Sequence, residues 1–212
     1  MDIANESFLY YVFAGGIAYI GYVLIGYPYL LRLLVALSGN KQDTVIYSEL
    51  PPITVVVPCF NEEGNVDQKV KNIFETRYPK DKLEIFFIDN GSTDKTIIFL
   101  EKLLERYSFR LLTSPPGKTQ ALNKAMEIAS TEIIVNTDCD TSWAGGVLEK
   151  LIQPLAHNGI GAVCATPKIG KSLFDSKVSY HKGDWVIRSL ESQLDTCCSL
   201  DGRLMAFKRS AL

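Results

Sequence analysis

Ile53-Thr54-Val55-Val56-Val57-Pro58-Cys59-Phe60-Asn61-Glu62-Glu63 decides how this chain is read. Its first five residues are β-branched and form a short strand, which runs straight into a loop of proline, aromatic and acidic side chains. The same alternation recurs downstream. A helix is expected around Val66–Glu75, then a second strand at Leu83–Ile88 and a helix over Thr93–Tyr107. A short third strand at Arg110–Thr113 precedes a helix at Lys118–Ile128, and a fourth at Ile133–Asn136 precedes a helix at Gly146–Ala156. A fifth strand is expected at Ala162–Ala165, with a helix within Phe174–Ser192. Strands alternating with helices predict an α/β fold around a mostly parallel sheet flanked by helices.

In an open α/β sheet, ligands bind outside the carboxyl ends of the strands. The polar residues gather at those ends: Pro58–Glu63 after strand one, Asp89-Asn90-Gly91-Ser92 after strand two, Asp138-Cys139-Asp140 after strand four. Three acidic loops at one sheet edge exceed what solubility requires. Asp138 and Asp140 flank one residue, so in an extended segment both carboxylates leave the same face. There a Mg²⁺ or Mn²⁺ ion would offset their repulsion, hold a diphosphate and neutralise a leaving group. An Asp-x-Asp pair is common in loops; its place directly after an apolar strand singles this one out. Ser92 or Thr93 suits the ordinary role of capping the next helix. Asp89 stands before that turn, where a carboxylate can accept hydrogen bonds from a base N–H or ribose hydroxyls. Pro115-Pro116-Gly117-Lys118 opens a helix and sets a lysine beside backbone N–H groups, an anion site. It lacks the spaced glycines of a Walker loop.

The first forty residues differ in kind. Phe8 to Leu31 contains no charged side chain, and about 20 apolar residues suffice for a helix to cross a bilayer. Tyr10 and Tyr11 near one end, with Tyr27 and Tyr29 near the other, suit the two interfaces. Pro28 is expected to kink the helix or mark its exit. A secretory signal would carry a basic leading segment and a shorter apolar run. Asp2 and Glu6 precede the run and Arg32 and Lys41 follow it, which puts the downstream side in the cytoplasm. Residues 1–40 are thus expected to be a single-pass anchor in the cell membrane, 41–52 a polar linker ending in Pro51-Pro52, and 53–212 the α/β domain. The net charge of −2 advertises no nucleic acid as a partner. The 5 cysteines are odd in number and lack the short paired spacings of a zinc site; reduced, buried thiols in a reducing compartment are expected.

Together these pieces resemble family 2 glycosyltransferases. Val55–Glu63 is similar to the family's opening strand and loop, and Asp89-Asn90-Gly91-Ser92-Thr93-Asp94 to its second loop, which normally carries two aspartates, Gly and Ser. Gly117-Lys118 with Ala121-Leu122-Asn123 looks like its Gly-Lys…Ala-Leu-Asn helix, and Asp138-Cys139-Asp140 like its metal-binding pair. The ordered set covers Pro51 to Asp140 and is specific only as a set. Arg188–Ser192, and Gly202 through Lys208-Arg209-Ser210-Ala211-Leu212, are similar to the region before the acceptor site in membrane-bound members. Those members make extracellular polysaccharides such as poly-N-acetylglucosamine, hyaluronan or cellulose.

The resemblance implies a GT-A, Rossmann-like fold and an inverting transfer from a nucleotide sugar, expected to be UDP-linked, to a growing glycan or lipid-linked acceptor. It implies that Pro58, Phe60, Asn61, Glu62, Asp89, Lys118 and Asp138 hold the nucleotide sugar, and that Asp138 and Asp140 hold Mg²⁺ or Mn²⁺. Asn90 departs from the pattern, standing where the second aspartate is usual. The family's general base and its Gln-x-x-Arg-Trp motif are expected beyond Leu212, so the chain reads as a C-terminally truncated, donor-binding part. Asp184, Glu191 and Asp195 fall near one helix face and read as solvated. Two other readings remain: a sugar-phosphate nucleotidyltransferase, which would place a Gly-rich basic loop after the first strand where Asn61-Glu62-Glu63 stands, and a non-catalytic membrane module that binds a nucleotide sugar.

Overall fold

Ile53–Cys59 forms β1, and it is covered on both faces: Ile53, Val55, Val57 and Cys59 belong to one hydrophobic cluster, Val56 to another. Alternate side chains of a strand point to opposite faces, so a run that is buried at six of its seven positions belongs at the centre of a sheet. The computed structural model describes residues 3–39, 45–166, 176–196 and 199–211, and β1 lies there in a compact unit made of Asp43–Ala165 and Leu200–Leu212. The unit's other strands are β2 (Leu83–Asp89), β3 (Arg110–Thr113), β4 (Ile133–Thr137), β5 (Ala162–Cys164) and β6 (Leu204–Lys208), in the order β3-β2-β1-β4-β6-β5. β1 pairs in parallel with β2 and β4, and β2 with β3; β6 runs antiparallel to both β4 and β5. Ile53 is the register partner of both Leu83 and Ile133, so the three central strands advance in step.

One face of the sheet packs against apolar residues of α3 (Val66–Phe74), α4 (Thr96–Leu103) and α6 (Val147–Ile152). The other face meets α5 (Lys118–Ile128), whose buried residues are Ala121 and Ala125. Methyl side chains let α5 lie close over Val56, Phe86, Ile88 and Ile134. Gly117, at φ 121°, starts α5 in a backbone conformation that a Cβ would strain.

Three expectations change here. β6 was not foreseen: Leu204–Lys208 is far in sequence from both its partners, so no local pattern announces the pairing. α4 starts at Thr96 rather than Thr93, because the Asp94 carboxylate, not Ser92 or Thr93, accepts the Thr96 N–H at 2.9 Å. The helix after β4 keeps α geometry only to Ile152 and tightens to a 3₁₀ turn over Gln153–Ala156, which contains Pro154.

A second unit comprises Met1–Gln42 and Thr166–Ser199. Its first helix runs through α1 (Ile3–Gly21), a π turn at Tyr22–Gly26 and α2 (Tyr27–Ser38). Phe8–Ser38 spans 31 residues and is long and apolar enough to cross a membrane. At 1.5 Å per residue it measures about 46 Å. Pro28 lies just after the π turn and the helix continues through it; the Tyr27 N–H reaches back to the Tyr22 carbonyl across the widened turn. α2 ends at Gly39 in the left-handed region.

α7 (Ser176–Gln193) lies against α2, and Tyr27 donates a hydrogen bond to Glu191 at 2.7 Å. Asp184 pairs with Arg188 at 2.8 Å. Asp184 and Glu191 are thus engaged rather than merely solvated. Cys59 and Cys139 are buried free thiols, and Cys164 is half-buried; Cys197 and Cys198 lie outside the described residues.

Phe87 is fully buried on β2 and its ring centre lies 4.8 Å from that of Phe109. Phe87→Ala is expected to lower stability by about 3–5 kcal/mol, read from urea denaturation in detergent. A loss below about 1 kcal/mol would mean that this face of the core is looser than described.

Candidate functional site

The in-step register brings the loops after β1, β2 and β4 to one edge, and hydrogen bonds stitch the first two together. Asn61 sits at φ 55°, a left-handed conformation that Asn tolerates better than most residues. Its N–H donates to Ser92 Oγ at 2.9 Å, and its side-chain oxygen accepts the Thr93 N–H at 2.8 Å. The Glu62 N–H donates to Thr96 Oγ1 at 2.8 Å and the Glu63 N–H to Asp94 at 3.1 Å; Glu63 in turn accepts the Lys95 N–H at 3.0 Å. Ser92 and Thr93 are occupied by this stitch, which is why neither caps α4. The second loop also abuts the entry to α5: a Cβ on Gly91, at φ 102°, would stand 3.4 Å from the Pro116 ring.

Pro58, Phe60, Glu62, Asn90, Lys118, Asp138, Cys139 and Asp140 line one polar pocket at this edge. Six of the residues singled out in the sequence therefore converge: Pro58, Phe60, Glu62, Lys118, Asp138 and Asp140. Phe60 is exposed at the pocket, and Glu62 is steadied by the Asn65 amide at 2.6 Å. The Lys118 ammonium bonds Asp138 Oδ1. Asp138–Thr141 is a turn rather than an extended segment, closed by the Thr141 N–H on the Asp138 carbonyl at 3.3 Å. Asp138 is consequently half-buried and Asp140 exposed, although both reach the pocket.

Asn61, which is exposed, and Asp89, which is buried, are not among the lining residues. Asp89 is 3% exposed; one carboxylate oxygen accepts the N–H groups of Gly91 and Ser92 at 3.1 and 3.2 Å, while Oδ1 is buried without a hydrogen-bond partner. Asn90 Oδ1 is likewise buried and unpartnered. Such groups are costly unless something satisfies them.

The sequence reading missed Lys69. This lysine is 1% exposed, and its ammonium donates to Thr137 Oγ1 at 2.8 Å and to the Thr141 carbonyl at 2.6 Å, with the Trp143 ring centre 4.1 Å away. It braces the Asp138–Thr141 turn from beneath. A signal was present: Val66, Lys69, Val70 and Ile73 occupy one helical stripe, and Lys69 is the polar member of an otherwise buried apolar face. Burial lowers the Lys69 ammonium from 10.5 to about 8, against the pull of Cys139, Asp138 and Asp140. Beside it, a hydrogen bond with Cys139 and burial push the Cys59 thiol well up, which keeps it neutral and inert.

A six-stranded α/β sheet with a polar pocket at the carboxyl ends of β1, β2 and β4 is shared with solved glycosyltransferases, and this chain has their GT-A fold. The mannosyltransferase PcManGT of Pyrobaculum calidifontis, solved with GDP-Man and Mn²⁺, superposes with a TM-score of 0.74 at 29% identity, covering 91% of this chain and 55% of its own. A glucosyl-3-phosphoglycerate synthase of Mycobacterium tuberculosis shares the fold, with a TM-score of 0.55 at 24% identity over 76% of this chain and 58% of its own. The glycosyl transferase family 2 model matches residues 54–212, and the chain belongs to that family. Among curated proteins, poly-beta-1,6-N-acetyl-D-glucosamine synthase of Staphylococcus aureus is 28% identical over 182 residues, covering 82% of this chain and 44% of that protein. An N-acetylglucosaminyltransferase of Rhizobium leguminosarum bv. viciae is 27% identical over 168 residues, covering 77% of this chain and 37% of its own. The chain thus spans less than half the length of these two relatives.

The Lys69 shift has a thermodynamic signature. Between pH 8 and 10 the unfolded chain keeps a proton that the folded chain sheds, so folding stability rises with pH. From pH 7.5 to 9.5 this one group is expected to add about 2 kcal/mol. Burial raises the Tyr78 hydroxyl, so Tyr78 opposes the trend only above about pH 10, whereas the raised Cys59 thiol opposes it from about pH 8.5 upward. The difference between the two proteins below, and not the wild-type slope, therefore carries the test. Urea denaturation of the wild type and Lys69→Met at the two pH values reads the difference. A parallel rise in both proteins would show that Lys69 is not the group responsible.

Proposed function

We infer that the pocket binds a nucleoside-diphosphate sugar together with Mg²⁺ or Mn²⁺, and that the protein transfers the sugar, with inversion, to a growing glycan or lipid-linked acceptor. The observation that carries the reading is the convergence of Glu62, Lys118, Asp138 and Asp140 on one pocket at the carboxyl edge of the sheet. Family membership and the PcManGT complex with GDP-Man and Mn²⁺ support it. The N-acetylglucosamine relatives favour a UDP-linked donor.

The residues present fit a hard divalent cation. Among the described residues no group of three or more His, Cys, Asp or Glu is arranged to hold a metal, but two carboxylates in one pocket match the way Mg²⁺ is held, by one or two carboxylates plus substrate phosphates and water. Asp138 and Asp140 would hold it, and the ion would neutralise charge developing on the departing diphosphate. Lys118, at the first turn of α5, adds an ammonium and backbone N–H groups toward the same phosphates. Phe60 offers a ring face, and Asn90 and Asp89 offer polar groups to base and ribose. Lys69 and the stitched loops keep these groups in place, so that little reorganisation is needed when substrate charge shifts.

We place the catalytic unit on the cytoplasmic face of the cell membrane, with Phe8–Ser38 as anchor. Arg32 follows the uncharged run, and the cytosol is where nucleotide sugars are available.

Calorimetry tests the site. UDP is expected to bind at least about tenfold more tightly with Mn²⁺ than in chelator, a gain that Asp140→Ala removes; equal affinity in both conditions would sink the metal role, and tighter binding of GDP would reassign the donor. A reporter enzyme fused after Leu212 tests the topology. Cytoplasmic reporter activity is expected, and activity found only on the far side of the membrane would reverse the orientation.

A further inference from the structure

Lys118 is the basic residue among those lining the pocket, facing Glu62, Asp138 and Asp140. Its ammonium holds Asp138 Oδ1, an oxygen that a cation shared by Asp138 and Asp140 also needs. One carboxylate oxygen cannot serve a tethered ammonium and a divalent ion equally well, because the two positive charges repel at contact distance. The Lys118 and Asp138 side chains are 47% and 31% exposed, so the pair is of the readily exchanged kind. The ammonium also has a defined seat: its Nζ lies 3.7 Å from where a Cβ on Gly202 would stand, and Gly202 is held by the Asn136 amide on its carbonyl at 2.9 Å.

We propose that Lys118 is an exchangeable counter-ion that makes divalent-cation binding depend on the diphosphate: it neutralises Asp138 until a diphosphate offers it a new anionic partner, and so releases Asp138 to the metal. The proposal rests on the donor-site reading above. The ordering follows from charge alone. A metal arriving by itself must displace an ammonium tethered one side chain away. A metal arriving with a diphosphate does not, since Lys118 turns from carboxylate to phosphate without losing an ion pair. By linkage the effect is reciprocal, so the metal strengthens diphosphate binding by the same factor.

The test is calorimetry on the full chain in detergent, with Mn²⁺ alone, with UDP in chelator, and with Mn²⁺ at saturating UDP. Lys118→Met is expected to shift the first two in opposite directions. Mn²⁺ alone should bind about fivefold or more tightly than to the wild type, and UDP in chelator about fivefold or more weakly. Lys118→Arg keeps a cation and should resemble the wild type for Mn²⁺ alone. A purely structural role for Lys118 would weaken both ligands together. Adding Asp140→Asn to Lys118→Met should abolish the tightened Mn²⁺ binding; its persistence would place the ion elsewhere and overturn the proposal. Unchanged or weaker Mn²⁺ binding by Lys118→Met, in a protein whose wild type binds UDP with Mn²⁺, overturns this proposal alone. A wild type that binds no nucleotide with Mn²⁺ removes the donor-site reading and this proposal with it. Should circular dichroism show Lys118→Met unfolded, Lys118→Gln, also uncharged, is read by the same criteria.

Discussion

Everything at the pocket depends on the level at which three parallel strands stop. β1 pairs with β2 on one side and with β4 on the other, and Ile53 is opposite Leu83 in one ladder and Ile133 in the other. Parallel strands in step deliver their following loops to the same edge, whatever those loops contain. A slip of one residue would turn every side chain of a strand to the opposite face. Here both faces are buried, and the two faces ask for different shapes: large aliphatic residues toward α3, α4 and α6, and close approach toward Ala121 and Ala125 of α5. That difference pins the register, and the register sets loop against loop.

Charge is the second organising quantity. A pocket with three carboxylates would repel itself and resist closing. Two lysines answer this from different depths. Lys118 meets Asp138 at the pocket wall, where solvent softens the interaction. Lys69 works from below, buried, bonded to Thr137 and Thr141 and facing the Trp143 ring. A desolvated ammonium is expensive unless its protons are matched, and two hydrogen bonds with an aromatic face go far toward matching them. The outcome is a rigid turn that carries its aspartates outward.

Much of this was readable in the sequence, for identifiable reasons. β1 and the start of β4 appear as β-branched runs because both of their faces are buried. The residues that reach the pocket could be named because chemistry in such sheets gathers at strand ends, and Pro58, Phe60, Glu62, Lys118, Asp138 and Asp140 all arise there. What escaped was non-local or conformational. β6 depends on partners far away in the chain. Asn61 looks like a ligand group in sequence and Ser92 like a helix cap, yet their hydrogen bonds join two loops. Asp138-Cys139-Asp140 looks extended in one dimension and is a turn in three, because Lys69 holds the Thr141 carbonyl from beneath. Lys69 itself was visible only as an interruption of an apolar stripe.

β6 lies between β4 and β5, so β5 joins the sheet through a strand that the chain provides only after residues 166–199 have passed. During synthesis, β1 to β4 can assemble while the outer edge of β4 still presents unpaired N–H and C=O groups, an edge that invites foreign strands. Of these six strands β6 is the last in sequence and the one that covers the outer edge of β4, so until it arrives that edge stays open to aggregation. The same arrangement makes β6 a detachable part in principle. A break anywhere in the intervening segment would leave a separate strand that can still find its slot, as donor strands do when they complete an open sheet.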